Sequence, residues 1–341
     1  MEENKTTPAP AAGSKNGSEE NKRSDHRSKI GGQALIEGVM MKGVYKGAMA
    51  CRLPDGTIDV ETWDIKGGVG KNRPWYKKIP LIRGVYSFIF SMVDGYKCLM
   101  KSAEKQMTDD GSEEDKDEKP SKLDLWLEKH FTEKTINVIM TVFTVLSTVA
   151  ALLLFLFLPK WIVGGLMGLA GLENRILQSF LEGIIKIVIF ISYMAVTGLS
   201  KDIRRTYEYH GAEHKTIACF EAGLPLTVEN VKKQVRLHPR CGTSFIFLTL
   251  FISILVMCLV PFTIPWQRFL CSFALLPLTV GFSFEAIQFA GRSSSIISKI
   301  ISWPGLQLQR ITTREPDASQ IECAIAALTP CIPENLEDDK W

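Results

Sequence analysis

Apolar residues in this chain are gathered into blocks rather than spread evenly. Ile136 to Leu158 and Cys241 to Gln267 contain no charged residue at all. A helix rises about 1.5 Å per residue, so about 20 residues cross a hydrocarbon core of roughly 30 Å. Four stretches reach that length: Thr135 to Leu158, closed by Pro159; Phe180 to Leu199; Ser244 to Val260, closed by Pro261; and Phe269 to Ala290. The pattern predicts an α-helical polytopic membrane protein with four transmembrane helices over residues 135–290. Trp161 to Leu172 is apolar but short and glycine-rich, and reads as an interfacial or re-entrant turn.

Outside these blocks the periodicity changes. From Leu81 to Met100 apolar residues recur at helical spacing, interrupted by Arg83, Asp94 and Lys97, which predicts an amphipathic helix over 79–106. Upstream, Ala48 to Leu53 and Thr57 to Ile65 alternate around Asp55-Gly56, a hairpin signature. A small β-containing cytoplasmic module is therefore expected over 30–70, ordered from Ile30 onward. Residues 1–29 are polar, carry no secretory apolar run, and read as a disordered tail. Residues 107–122 form an acidic linker. The segment 291–341 is amphipathic and cytoplasmic, with a break at Thr312-Thr313-Arg314-Glu315-Pro316.

Charge then sets orientation. The segment between the second and third spans carries Lys201, Arg204, Arg205, Lys215, Lys232, Lys233, Arg236 and Arg240, whereas the two hairpin loops hold only Lys160, Arg175 and Arg268. The positive-inside bias puts this segment and both termini in the cytoplasm. A net charge of +3 on 341 residues gives no case for a nucleic-acid partner. The expected partner is the lipid bilayer, with a membrane protein or a lipid as substrate. The eight cysteines include no CxxC pair, and a cytoplasmic setting keeps them reduced.

Candidate chemistry sits on the segment 200–243. His210-Gly211-Ala212-Glu213-His214 is an H-x-x-E-H pattern on a stretch expected to be helical. Residues four apart share a helix face, so both imidazoles can turn to one divalent metal, zinc by ligand type, with Glu213 beside them as general base. Three of the five histidines, His210, His214 and His238, lie on this segment, and His238 or Cys241 can supply the next ligand. Glu285 lies inside the fourth span, where a carboxylate needs a metal or a basic partner. Lys215 and Arg240 suit an anionic substrate or a lipid head group, and equally an acidic membrane surface. The chain has no P-loop, no Gly-x-Ser-x-Gly elbow and no dinucleotide fingerprint, which disfavours ATP-driven work and serine hydrolysis.

Four motifs carry a resemblance. Gly31-Gly32-Gln33-Ala34-Leu35-Ile36-Glu37-Gly38-Val39-Met40-Met41, Tyr209-His210-Gly211-Ala212-Glu213-His214-Lys215, His238-Pro239-Arg240-Cys241-Gly242-Thr243-Ser244 and Thr312 to Pro316 are similar to those of the YqhQ-like family of bacterial membrane proteins. That family is described as predicted metal-dependent enzymes. The resemblance spans roughly residues 30–330 and adds Glu37 to the candidate positions. It implies a metal-dependent enzyme of the bacterial membrane, with roles for His210, Glu213, His214 and His238; the site chemistry itself points to hydrolysis at the cytoplasmic face. The rival expectation is a membrane adaptor held together by a structural metal; a transporter ranks below both.

Overall fold

The structure is a computed structural model that describes residues 26–65, 74–107, 133–262, 264–292 and 295–341. Residues 1–25 of the expected tail and 108–122 of the acidic linker lie outside the described residues. Four strands, β1 (Gly31–Leu35), β2 (Gly38–Lys42), β3 (Lys46–Arg52) and β4 (Ile58–Asp64), form an antiparallel meander in chain order. The helices are α1 (Ile82–Met107), α2 (Glu133–Leu152), α3 (Leu158–Ala170), α4 (Arg175–Thr197), α5 (Lys201–Glu221), α6 (Val228–Lys232), α7 (Gly242–Leu259), α8 (Pro265–Ala274), α9 (Leu276–Arg292), α10 (Ile296–Thr312) and α11 (Ala318–Leu328).

The hairpin forms where Asp55-Gly56 predicts it. Gly56 takes a φ of 85°, open to glycine at no steric cost, and Asp55 Oδ1 accepts the Thr57 N–H at 2.8 Å. Alternation then sends side chains to two faces. Val39, Met41, Ala48 and Ala50 meet Tyr209, Ala212 and Ile217 of α5 and Ile321, Ala324 and Leu328 of α11. Met40, Met49 and Cys51 meet Cys98 of α1. The sheet is thus an inner layer between helices distant in sequence. The 30–70 module expected from local pattern is one wall of a larger body.

Order also starts earlier than Ile30. Lys29 N–H donates to Asp339 O at 2.8 Å, Ser28 bridges Lys340, and His26 Nε2 lies 3.0 Å from Asp339 Oδ2. This polar tail is held by hydrogen bonds to the C-terminus rather than by apolar burial, which hydropathy cannot register.

Among the described residues, three helices are long and apolar enough to cross a membrane: Thr141–Ala170, Arg175–Thr197 and Gly242–Leu259. The first differs from its expectation. The helix does not stop at Pro159 but continues to Ala170, absorbing Trp161 to Ala170 of the stretch expected to be a turn, with Gly171 as its left-handed C-cap. A π-helical turn, Leu153–Phe157, precedes Pro159. The wider turn accommodates the ring and the missing N–H that would otherwise break an α-helical ladder. The fourth expected span is two helices, Trp266–Ala274 and Leu276–Arg292, bent by 46° and long enough only as a pair. Pro277, at the start of α9, removes a ladder donor at that bend. Helix α7 packs against α4, α9 and α10, and α3 against α4.

Helix α11 opens with a capping box. Asp317 Oδ1 accepts the Gln320 N–H at 2.8 Å, and Gln320 Oε1 accepts the Asp317 N–H at 2.9 Å. Asp317→Ala removes one arm and is expected to cost about 1 kcal/mol, read as a lowered midpoint in thermal unfolding of the detergent-solubilised protein. An unchanged midpoint would show that the cap adds nothing to the packing of α11 on the sheet.

Candidate metal centre

Helix α5 is polar overall yet half buried, because the sheet, α11 and the 236–241 turn enclose it. Tyr209, Ala212 and Ile217 face the sheet core. One flank carries His210 and His214, whose ring centroids are 4.4 Å apart, as four-residue spacing requires. The turn before α7 brings Cys241 to this flank. One donor atom each from His210, His214 and Cys241 lies within 4.8 Å of the other two.

The two imidazoles are oriented alike. His210 Nδ1 lies 2.9 Å from Thr312 O, and His214 Nδ1 lies 2.5 Å from Arg236 O. A carbonyl can only accept, so each Nδ1 carries a hydrogen and each Nε2 is the nitrogen that offers a lone pair once it is unprotonated. His210 Nε2 lies 3.2 Å from Cys241 Sγ, while His214 Nε2 is buried with no hydrogen-bond partner. Anchoring one ring nitrogen on a backbone carbonyl so that the other can ligate is how metal-binding histidines are held. The donor set, two imidazoles and a thiol around an orphaned buried nitrogen, fits a divalent transition metal.

Electrostatics agree with the geometry. Burial opposes a charged imidazole at His210, but the adjacent Cys241 sulfur outweighs it and pushes the pKa up to about 9. Burial likewise opposes a thiolate at Cys241, yet His214 and His210 hold its pKa well below the usual thiol value. Cys241 also sits at the N-cap of α7, where its Sγ accepts the Thr243 N–H at 3.4 Å. A thiolate is the form that binds metal.

Glu213 lies one residue from His214 and is 4% exposed. Its carboxyl takes a hydrogen bond from the Gly32 backbone, and Oε2 is buried without a partner. Burial raises its pKa against the pull of His214, His210 and that hydrogen bond, the direction that suits a general base.

The remaining candidates go elsewhere. His238, expected among the ligands, has its ring centroid 5.6 Å from that of His214, but its Nε2 lies 3.7 Å from Glu221 Oε2 and 3.2 Å from the Arg240 guanidinium. Its backbone explains the orientation: Gln309 bonds both its N–H and its carbonyl, at 2.8 and 2.7 Å, fixing the turn with the ring toward Glu221. Arg240 pairs with Glu221 and lies 5.2 Å from the Trp341 ring. Lys215 is buried, pairing with Glu315 at 2.6 Å and donating to Lys232 O at 3.0 Å. Glu37, in the β1–β2 turn at a φ of 52°, receives Arg205 at 2.6 Å and the Tyr209 hydroxyl at 3.2 Å, tying sheet to α5. Of the two partners considered for Glu285, the structure supplies the basic one: Arg83 of α1, whose Nε donates to Oε1 at 2.7 Å.

Several contributors escape a reading of single residues. The carbonyls of Thr312 and Arg236 and the Gly32 N–H are backbone groups, and Gln309 and Glu221 sit at unremarked helical positions. The motif residues Gly32 and Thr312 were within reach as neighbours of the site; Gln309 had no signal.

Comparison with known proteins places this arrangement. The chain is 36% identical over 306 residues, 89% of its length and 92% of the relative's, to "Uncharacterized protein YqhQ" of Bacillus subtilis (strain 168). No solved structure matches. The model of a family described as "Protein of unknown function (DUF1385)" matches residues 79–334, which include every side chain of the His-Cys cluster. By the length of that match and the identity to YqhQ, the chain belongs to the DUF1385, YqhQ-like family.

Proposed function

We propose that this protein is a membrane-integral, metal-dependent hydrolase acting at the cytoplasmic membrane surface. His210, His214 and Cys241 hold the metal and Glu213 is the general base. The observation that carries this reading is the buried trio of donor atoms with His214 Nε2 and Glu213 Oε2 both unpartnered. Zinc suits two imidazoles and a thiolate, and when bound supplies Lewis acidity toward a carbonyl or phosphoryl oxygen. Zinc is ordinarily four-coordinate, so three protein ligands would leave one position for a water, and Glu213, which interacts with both imidazoles, would hold its proton.

The membrane reading is supported by apolar side chains standing outward on the spans, among them Leu169 at 91% and Leu259 at 80% exposure. Soluble chains do not leave contiguous apolar surface of this kind open. The lysine and arginine distribution supports a cytoplasmic side for both termini and the metal centre, and the combined length of the bent α8–α9 pair supports a fourth crossing.

A second reading, the structural-metal adaptor, is favoured by the way the trio ties α5 to the start of α7 and, through Thr312, to the end of α10. Glu213→Gln separates the two. It is expected to keep full metal content and near-parent stability while losing at least 100-fold in activity, or failing to complement a deletion strain. Full complementation by Glu213→Gln would remove the hydrolase and leave the adaptor.

A further inference from the structure

A cavity of about 500 Å³ opens beside the metal centre, between the end of α9, the first turns of α10 and the 239–240 turn. Arg27, Arg240 and Lys299 line it, together with the hydroxyl of Ser302 and an apolar wall of Trp303 and Leu306. Its one carboxylate, Glu221, is already matched by Arg240 and by the Ser28 N–H at 2.7 Å. Arg27 donates to Gly291 O through one nitrogen, at 2.7 Å, and its guanidinium makes no other hydrogen bond among the described residues. The lining is therefore cationic, with an apolar side.

Helix α10 continues that apolar side outward. Ile296, Ile297, Ile300 and Trp303 are each at least 60% exposed and follow helical spacing along one face. An exposed apolar stripe beside Arg292 and Lys299 is the composition of a helix lying in a membrane interface. An occupant must therefore offer an anionic head to the cations and a hydrocarbon body to Trp303 and the stripe.

We propose that this cavity is a head-group site for an anionic phospholipid. The proposal rests on the membrane reading above. The site is linked to the metal centre: Arg240 is 3.2 Å from His238 Nε2, and the His238 ring, tilted by 42°, has its centroid 5.6 Å from that of His214. A bound phosphate diester that draws on Arg240 would be felt one residue away from a metal ligand.

Native mass spectrometry of the detergent-purified chain tests it with three probes: dioleoylphosphatidylglycerol, dioleoylphosphatidylcholine and inorganic phosphate. The expected result is one phosphatidylglycerol retained about tenfold more strongly than phosphatidylcholine, with inorganic phosphate failing to displace it. The Arg27→Glu/Lys299→Glu variant should lose that preference about tenfold while keeping parental metal content, which certifies its fold. Equal retention of the two lipids, or an unaltered preference in the variant, overturns the proposal. Displacement of the lipid by inorganic phosphate reassigns the cavity to free phosphate and overturns it too. Recovery of the chain in the aqueous phase of a Triton X-114 partition would instead sink the membrane reading beneath it.

Discussion

His214→Ala strips the protein of its metal: the purified variant carries close to none where the parent carries about one ion per chain. The imidazole is 1% exposed, its Nδ1 is fixed on Arg236 O, and its Nε2, buried with no hydrogen-bond partner among the described residues, lies within 4.8 Å of the donor atoms of His210 and Cys241. Alanine removes the ligand, orphans a carbonyl and opens a void where nothing can collapse. The unfolding midpoint therefore falls both from the cavity, about 2–3 kcal/mol for a side chain of this size, and from loss of the stabilisation that the ion confers on the folded state. Elemental analysis with thermal melts in detergent checks both, and parental metal content in the variant would end the metal proposal. Acidity acts in the same direction. Binding displaces the proton that His210 carries up to about pH 9, so apparent affinity rises by about tenfold per pH unit between neutrality and that value. An affinity that falls as pH rises through this window would show that His210 is not a ligand.

What the chain discloses locally is what its neighbours in sequence decide. The hairpin at Asp55-Gly56 forms because glycine opens the left-handed region and alternation sorts the flanking side chains. The helices at Arg175–Thr197 and Gly242–Leu259 are legible because long apolar runs dominate them, unbroken by charge in the second and interrupted by charge only at Glu182 and Lys186 within the first. The His210–His214 pair converges because helix periodicity alone aligns it. Where a second segment decides, local pattern falls short. Pro159 reads as a stop, yet the π-turn upstream lets the helix run on to Ala170. His238 has the chemistry of a ligand, but Gln309, 71 positions away, sets its backbone so that the ring meets Glu221. Cys241 reads as one of two alternatives for the next ligand; only the docking of its turn against α5 distinguishes it from His238.

The same contrast explains why the metal centre and the sheet belong together. The family model covers residues 79–334 and the strands precede it, yet Gly32 of β1 reaches Glu213 and Glu37 reaches Arg205 and Tyr209. A β-carbon on Gly32 would stand 2.4 Å from Met40 O and 3.0 Å from the Glu213 carboxyl carbon. Gly32, unlike Gly31 whose β-carbon position is open, is therefore a packing requirement of the candidate base. That long-range dependence explains how a motif near the N-terminus can accompany an H-x-x-E-H pattern nearly two hundred residues later.

Gly211→Ala is expected to destabilise the protein by about 3 kcal/mol and weaken metal retention by about 10–100-fold, although it touches no ligand. Helix propensity argues the other way, since alanine in a helix interior is worth about 1 kcal/mol over glycine. Sterics decide the sign. A β-carbon here would lie 1.9 Å from Arg314 O and 3.1 Å from its carbonyl carbon, and backbone cannot rotate away as a side-chain tip could. The connection after α10 that must retreat is pinned by the Arg314 N–H on Tyr207 O at 2.8 Å, and it follows directly on Thr312, whose carbonyl meets His210 Nδ1 at 2.9 Å. Forcing α5 and this segment apart therefore releases the imidazole from the carbonyl that orients it. Gly164→Ala is the control, because nothing lies within 4 Å of its β-carbon position and propensity should act alone, leaving stability unchanged or slightly raised. Thermal melts paired with elemental analysis separate the two variants. A Gly211→Ala protein as stable and as fully loaded as the Gly164→Ala control would show that the close approach of α5 to residues 312–314 does not hold the centre together.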